Sequence, residues 1–221
     1  MFTLYTFGDS ILDCGGYNAL GLTPGGLIVR NDDRAFPEFL GQDLSTLGPA
    51  RLVERARDGA DVSGLPSQAR GLTTPDGPAA AIVTIGGNDL LGGLVFDKGI
   101  GVAEFAEALT AFVETLPIRP IFLGNVYDPT GGDDRRNFLS LNPAVARAAL
   151  ARVNQAIAEV AGRFGARLID IHEQFLKGDQ SWFVSVIEPS LQGASEVRRA
   201  FLPGLLAKAR EASAPGATGR E

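Results

Sequence analysis

Residues 2–13 read Phe2-Thr3-Leu4-Tyr5-Thr6-Phe7-Gly8-Asp9-Ser10-Ile11-Leu12-Asp13. The first six form a strand-like run, with Phe2, Leu4 and Thr6 alternating against Thr3, Tyr5 and Phe7. The run ends in Gly8-Asp9-Ser10. Glycine permits a sharp bend, and a serine at the tip of a strand is how a fold presents a nucleophile. Taken alone, the triplet is equally compatible with a plain turn or with a helix N-cap at Ser10.

Four further strand-like runs follow, near Arg51–Glu54, Ala80–Ile85, Pro120–Tyr127 and Arg167–Ile171. Several are near-continuous apolar runs, as strands buried on both faces should be. Helical stripes lie between them. Val102, Phe105, Leu109, Phe112, Val113 and Leu116 recur at spacings of three and four. Asn142-Pro143 reads as an N-cap with Pro at the first helical position, and Gly165 ends the stripe that follows. A final helix begins near Gly193–Ser195, with Pro203 disturbing it. Alternating β and α elements predict a three-layer α/β/α fold, flavodoxin-like, with a five-stranded parallel sheet in the order 2-1-3-4-5. One domain over residues 1–211 is expected, with a disordered tail over 212–221.

The 221 residues are 45% hydrophobic and carry a net charge of −6, which suits one domain burying roughly 70% of its unfolded surface. No basic stripe is present, so nucleic acid is not an expected partner. No apolar run approaches the ~20 residues of a membrane span, and no leader is visible, so a cytoplasmic location is expected. The single cysteine, Cys14, excludes an internal disulfide and reads as a packed small residue. The single histidine, His172, excludes any mechanism that needs two.

In parallel sheets, ligands sit at the carboxyl ends of the strands. Ser10 follows the first strand, Gly59 the second, Gly86-Gly87-Asn88-Asp89 the third and His172 the fifth. Acyl transfer needs a nucleophile and donors aimed at the developing oxyanion. The N–H groups of Ser10 and Gly59 and the Asn88 amide would supply three. Separately, Gly59 reads as a turn glycine and Asn88-Asp89 as an Asx turn. Their joint order carries the functional reading.

The sequence resembles the SGNH/GDSL hydrolase superfamily over nearly its whole length. Gly8-Asp9-Ser10, with Asp13 and Tyr17 downstream, is similar to the first block. Gly59, with Ala60 and Gln68, is similar to the second, and Gly86-Gly87-Asn88-Asp89 to the third. The resemblance implies a flavodoxin-like sheet, a serine nucleophile, an oxyanion hole and hydrolysis of esters or acyl groups, with no metal or other cofactor. The partner it implies is a small-molecule ester. The last block departs. Within Ser185-Val186-Ile187-Glu188-Pro189-Ser190-Leu191-Gln192-Gly193, Ser185 and Glu188 stand where the family has Asp and His.

Three readings therefore stand. Glu188 is the base for Ser10, with its pKa raised toward 6–7 by burial from about 4.3. Alternatively His172 is the base, oriented by Glu188 or Asp170, although a fifth strand three places from the first lies ~14 Å away. In the third, the fold binds a ligand but is catalytically impaired. Trp182-Phe183 would line an acyl or sugar pocket or anchor a loop. Arg198-Arg199 would meet an anionic substrate or form a solvated helix face. Asp133-Asp134-Arg135-Arg136 reads as an exposed loop. A metal-dependent phosphoesterase, suggested by Asp170-x-His172 and Asn88-Asp89, would need several imidazole ligands that one histidine cannot supply. A dinucleotide site lacks its glycine fingerprint.

Overall fold

The computed structural model describes residues 1–213. The elements in chain order are β1 (Phe2–Gly8), α1 (Pro24–Val29), β2 (Ala50–Glu54), α2 (Leu65–Gln68), β3 (Ala79–Thr84), α3 (Gly87–Leu91) and α4 (Ile100–Thr115). They continue with β4 (Ile121–Gly124), α5 (Pro143–Phe164), β5 (Arg167–Ile169), α6 (Ile171–Phe175), β6 (Phe183–Val184), β7 (Glu188–Pro189) and α7 (Leu191–Ser213). β1 to β5 form one parallel sheet in the order β2-β1-β3-β4-β5. Phe2 pairs with Ala50 on one side of β1, and Thr3 with Ala79 on the other.

The strand alternation divides two cores. Phe2, Leu4 and Phe122 face α1, α6 and α7, where they meet Leu27, Phe175 and Phe201. Tyr5, Phe7 and Leu123 face α4 and α5, where they meet Phe112, Leu109 and Val153. Every residue of β1 and β3 is buried, as expected for central strands covered by helices on both faces.

Element ends differ from the sequence expectation. β4 stops at Gly124 and β5 at Ile169; the Asn125 N–H still donates to Ile169 O, and beyond it the Asn125 and Asp170 side chains take over, bonding to each other and accepting from the His172 and Glu173 N–H groups. α7 begins at Leu191 and runs unbroken through Pro203 to Ser213, so Ala212 and Ser213 are helical; the rest of the expected tail lies outside the described residues. Burial of Phe201, Leu202, Leu205 and Ala209 against the core outweighs the local cost of the proline. Arg198 is also a correction. It is fully buried, not solvated: its guanidinium lies 3.5 Å from the Phe39 ring centre and donates to Asn31 and Ser195. Burial lowers its pKa to about 10.

Candidate active site

Ser10 sits at the carboxyl end of β1, on a turn fixed from three directions. Gly8 has φ +120°, and a Cβ there would lie 1.7 Å from the Thr84 carbonyl oxygen of β3. Only glycine fits so close an approach. Gln68 brackets the Gly8 peptide, accepting from its N–H at 2.7 Å and donating to its carbonyl at 2.8 Å. Asp9 is 1% exposed. Its Oδ1 accepts from the Thr84 hydroxyl at 2.9 Å and from the Ile11 N–H at 3.1 Å. Burial nonetheless dominates and raises the Asp9 pKa to about 7, with the Glu188 charge acting in the same direction.

The loop after β2 is tied to this turn. The Asp58 N–H donates to Asp13 at 2.9 Å, and the Tyr17 hydroxyl donates to Asp58 at 2.6 Å. That bond, with burial and nearby carboxylates, raises the Tyr17 pKa. Gly59 turns this loop at φ +75°, a conformation that L side chains rarely adopt. Asn88 and Asp89 staple the loop from α3. The Asn88 amide donates to Ala60 O at 2.9 Å, and the Asp89 carboxylate accepts from the Val62 N–H at 3.2 Å. An amide has two N–H donors, so one on Asn88 remains after the staple. Burial raises the Asp89 pKa to about 6.

Glu188 reaches the same place from the far end of the chain. It lies on β7, which pairs antiparallel with β6, Val184 opposite Glu188. The turn between them puts Ser185 at φ +49° and Val186 at φ +78°, a left-handed pair with no glycine, which is strained for β-branched Val186. Two anchors hold it. The Tyr127 hydroxyl donates to Ile187 O at 2.5 Å. Trp182 and Phe183 pack on Phe175 with ring centres 5.4 Å away. Behind the turn, Ser190 N–H donates to Trp182 O at 2.9 Å, and a Cβ at Gly193 would lie 2.1 Å from that same oxygen. Glycine at 193 therefore lets α7 start directly beneath the hairpin.

Asp9, Ser10, Gly87, Asn88 and Glu188 line one cavity of about 120 Å3. The Glu188 Oε2 is buried with no hydrogen-bond partner. Burial raises the Glu188 pKa above its ordinary 4.5, and the Ser10 hydroxyl beside it acts downward as a donor. No hydrogen bond of full donor–acceptor geometry joins them in the resting site, which is common before substrate tightens such contacts.

The remaining candidates fall elsewhere. His172 is on α6 and does not line the cavity. Its backbone N–H donates to Asn125 Oδ1 at 2.8 Å, and Asn125 donates to Asp170 at 2.9 Å. Asp170 caps α6 through the Glu173 N–H. These three residues join the ends of β4 and β5, on the sheet edge farthest from β2. Trp182 and Phe183 likewise do not line the cavity; they sit in the aromatic anchor. Gly59 is also outside its lining, although its loop adjoins Ser10 through Asp13. From the charged loop, Asp134 lies at the rim, paired with Arg147. Tyr127 and Thr84 are the site's unforeseen residues. The signal available was their position, at or just beyond the carboxyl ends of β4 and β3.

Among the described residues no group of three or more His, Cys, Asp or Glu side chains is arranged to hold a metal. No helix among them is long and apolar enough to cross a membrane.

The model of the GDSL-like lipase/acylhydrolase family matches residues 6–194, and the chain belongs to that family. It is an esterase-type hydrolase. No curated protein matches it. Among solved structures, the acetylxylan esterase Axe2 of Geobacillus stearothermophilus is similar at 23% identity, with 91% of this chain and 92% of that one covered and a TM-score of 0.66. LAE5, an alpha/beta hydrolase enzyme from the metagenome of Lake Arreo, Spain, is similar at 22% identity, with 94% of each chain covered and a TM-score of 0.63. These likenesses show the shared fold. Structures described as catalytic mutants of Axe2 replace a serine, a histidine and an aspartate.

Proposed function

We propose that the protein hydrolyses carboxylic esters through an acyl-enzyme, with Ser10 as nucleophile and Glu188 as general base. The observation that carries this reading is that Ser10 and Glu188 line one cavity with Asn88, while His172 lies outside it. The Ser10 hydroxyl attacks the ester carbonyl carbon, and its proton passes to the Glu188 carboxylate. The carbonyl oxygen becomes an oxyanion before the remaining Asn88 N–H and the Ser10 N–H, the two expected donors that line the cavity. Collapse breaks the bond to the alcohol oxygen, which leaves with the proton from Glu188. Water then attacks the acyl-serine carbonyl and gives a proton to Glu188; the bond from the acyl carbon to Ser10 Oγ breaks, Ser10 takes that proton back from Glu188, and the carboxylic acid departs.

A carboxylate is an intrinsically weak base toward a hydroxyl. Two features support Glu188 in the role. Its pKa is raised by burial, and its orphaned Oε2 lacks the hydrogen bonds that would stabilise the charged form. The partner carboxyl, Asp9, is held largely neutral below about pH 7, so it does not add a second full charge beside the oxyanion.

The test is Ser10→Ala with p-nitrophenyl acetate. The expected outcome is loss of turnover in a protein with an unchanged unfolding profile. Full activity in that variant rejects the nucleophile.

A further inference from the structure

Ser10 and Glu188 stand on separate supports. Ser10 follows β1, inside the five-stranded sheet, whereas Glu188 lies on the small hairpin of β6 and β7. Proton transfer needs the two side chains held at a fixed spacing, and a misplacement of about 1 Å costs about 100-fold in rate. The hairpin turn does not hold itself. Ser185 and Val186 are both left-handed, and Val186 is 52% exposed, so packing does little to keep it there. Apart from the ladder within the hairpin, one hydrogen bond of full geometry among the described residues reaches residues 185–188. It runs from the Tyr127 hydroxyl to Ile187 O at 2.5 Å.

The surroundings of Tyr127 make that tie a rigid one. The residue lies just beyond the end of β4, a strand of the main sheet, and is 6% exposed. Its ring stacks on Phe175 of α6 with ring centres 4.4 Å apart and meets Phe183 of β6 edge-on at 5.4 Å. Burial, with the Asp9 and Glu188 carboxyls acting in the same direction, raises its pKa well above the ordinary 10, so the hydroxyl remains a donor. Its one proton is committed to Ile187 O, so none is left for the oxyanion.

We infer that Tyr127 is a positioning residue: its hydroxyl locks the left-handed turn to the end of β4 and thereby sets the spacing between the Glu188 carboxylate and the Ser10 hydroxyl. This role rests on Glu188 being the base.

The test is Tyr127→Phe, which deletes the hydroxyl and keeps the ring that lines the cavity. With p-nitrophenyl acetate, kcat should fall about tenfold or more while KM stays within about twofold. The midpoint of the acid limb of kcat should move down toward 4.5, because a loosened Glu188 loses part of the burial that raises it. Asp9, Asp58 and Tyr17, which act on or are acted on by its charge from neighbouring segments, are unchanged in the variant. A lowered Tm with kcat and midpoint both unchanged is what a merely structural tyrosine gives, and it overturns the assignment.

Asparagine takes a left-handed backbone more readily than valine. Adding Val186→Asn to Tyr127→Phe should therefore recover part of the lost kcat; no recovery overturns the assignment. If Tyr127→Phe does not fold alone, the double variant is compared with Val186→Asn: a lower kcat in the double variant supports the role, and equal values overturn it. Glu188→Gln in the same assay separates the two failures. If Glu188→Gln is slow and Tyr127→Phe is not, only the positioning role falls. If Glu188→Gln turns over at the wild-type rate, the base assignment falls, and the positioning role with it.

Discussion

Replacing Asp9 with asparagine should change how stability depends on pH. Asp9 is 1% exposed and makes no ion pair among the described residues, so burial raises its pKa from 3.8 to about 7. The folded protein therefore keeps a proton that the unfolded chain has already released. A raised acidic group of this kind contributes stability in full below pH 3.8, and that contribution is lost as pH rises through about 7. Each tenfold change in proton concentration within the window is worth about 1.36 kcal/mol. Between pH 5 and pH 8 the wild type should lose about 3 kcal/mol from this group alone. Asparagine cannot ionise, and its amide oxygen can still accept from Thr84 and Ile11. Urea unfolding of both proteins at the two pH values isolates the effect, because the other titrating groups are common to both. The stability of Asp9→Asn relative to wild type should rise by about 3 kcal/mol from pH 5 to pH 8. Parallel pH profiles would refute the argument that Asp9 is folded as the neutral acid.

Other outcomes follow from the same contacts. Asn88→Ala removes the proposed oxyanion donor and the Ala60 staple, and kcat should fall about 10²- to 10³-fold, read on a short-chain aryl ester. Gln68→Ala leaves the buried N–H and C=O of Gly8 unpaired, and should destabilise by about 3 kcal/mol in urea unfolding. Gly8→Ala drives a methyl group onto the Thr84 carbonyl and should give no folded protein by circular dichroism. Activity should fall as pH drops through the Glu188 pKa, and the midpoint should lie above the ordinary 4.5 because burial raises it; a midpoint at or below 4.5 contradicts the assignment.

The sheet was legible because β1 and β3 are buried on both faces and so read as short apolar runs ending in glycine. Their carboxyl-end residues, Ser10 and Asn88, came with them. Strand ends were less legible, since Asn125 and Asp170 close β4 and β5 through side-chain contacts between distant segments. The path of the last block was hidden for a similar reason. Glu188 is placed by a left-handed turn at Ser185 and Val186, which no local propensity favours, and by Tyr127, sixty residues earlier in the chain. Arg198 misled because charged residues on a long helix are usually exposed. Its burial depends on Phe39 and Asn31, which only the folded chain brings to it.

The central claim is that a carboxylate, not an imidazole, activates the serine. The direct measurement is the rate at which diethyl p-nitrophenyl phosphate labels Ser10 in wild type, Glu188→Gln and His172→Ala. General-base help is worth about 10²- to 10⁴-fold. Labelling should therefore slow at least 100-fold in Glu188→Gln and stay at the wild-type rate in His172→Ala. The opposite pattern, with labelling intact without Glu188 and lost without His172, would contradict the account.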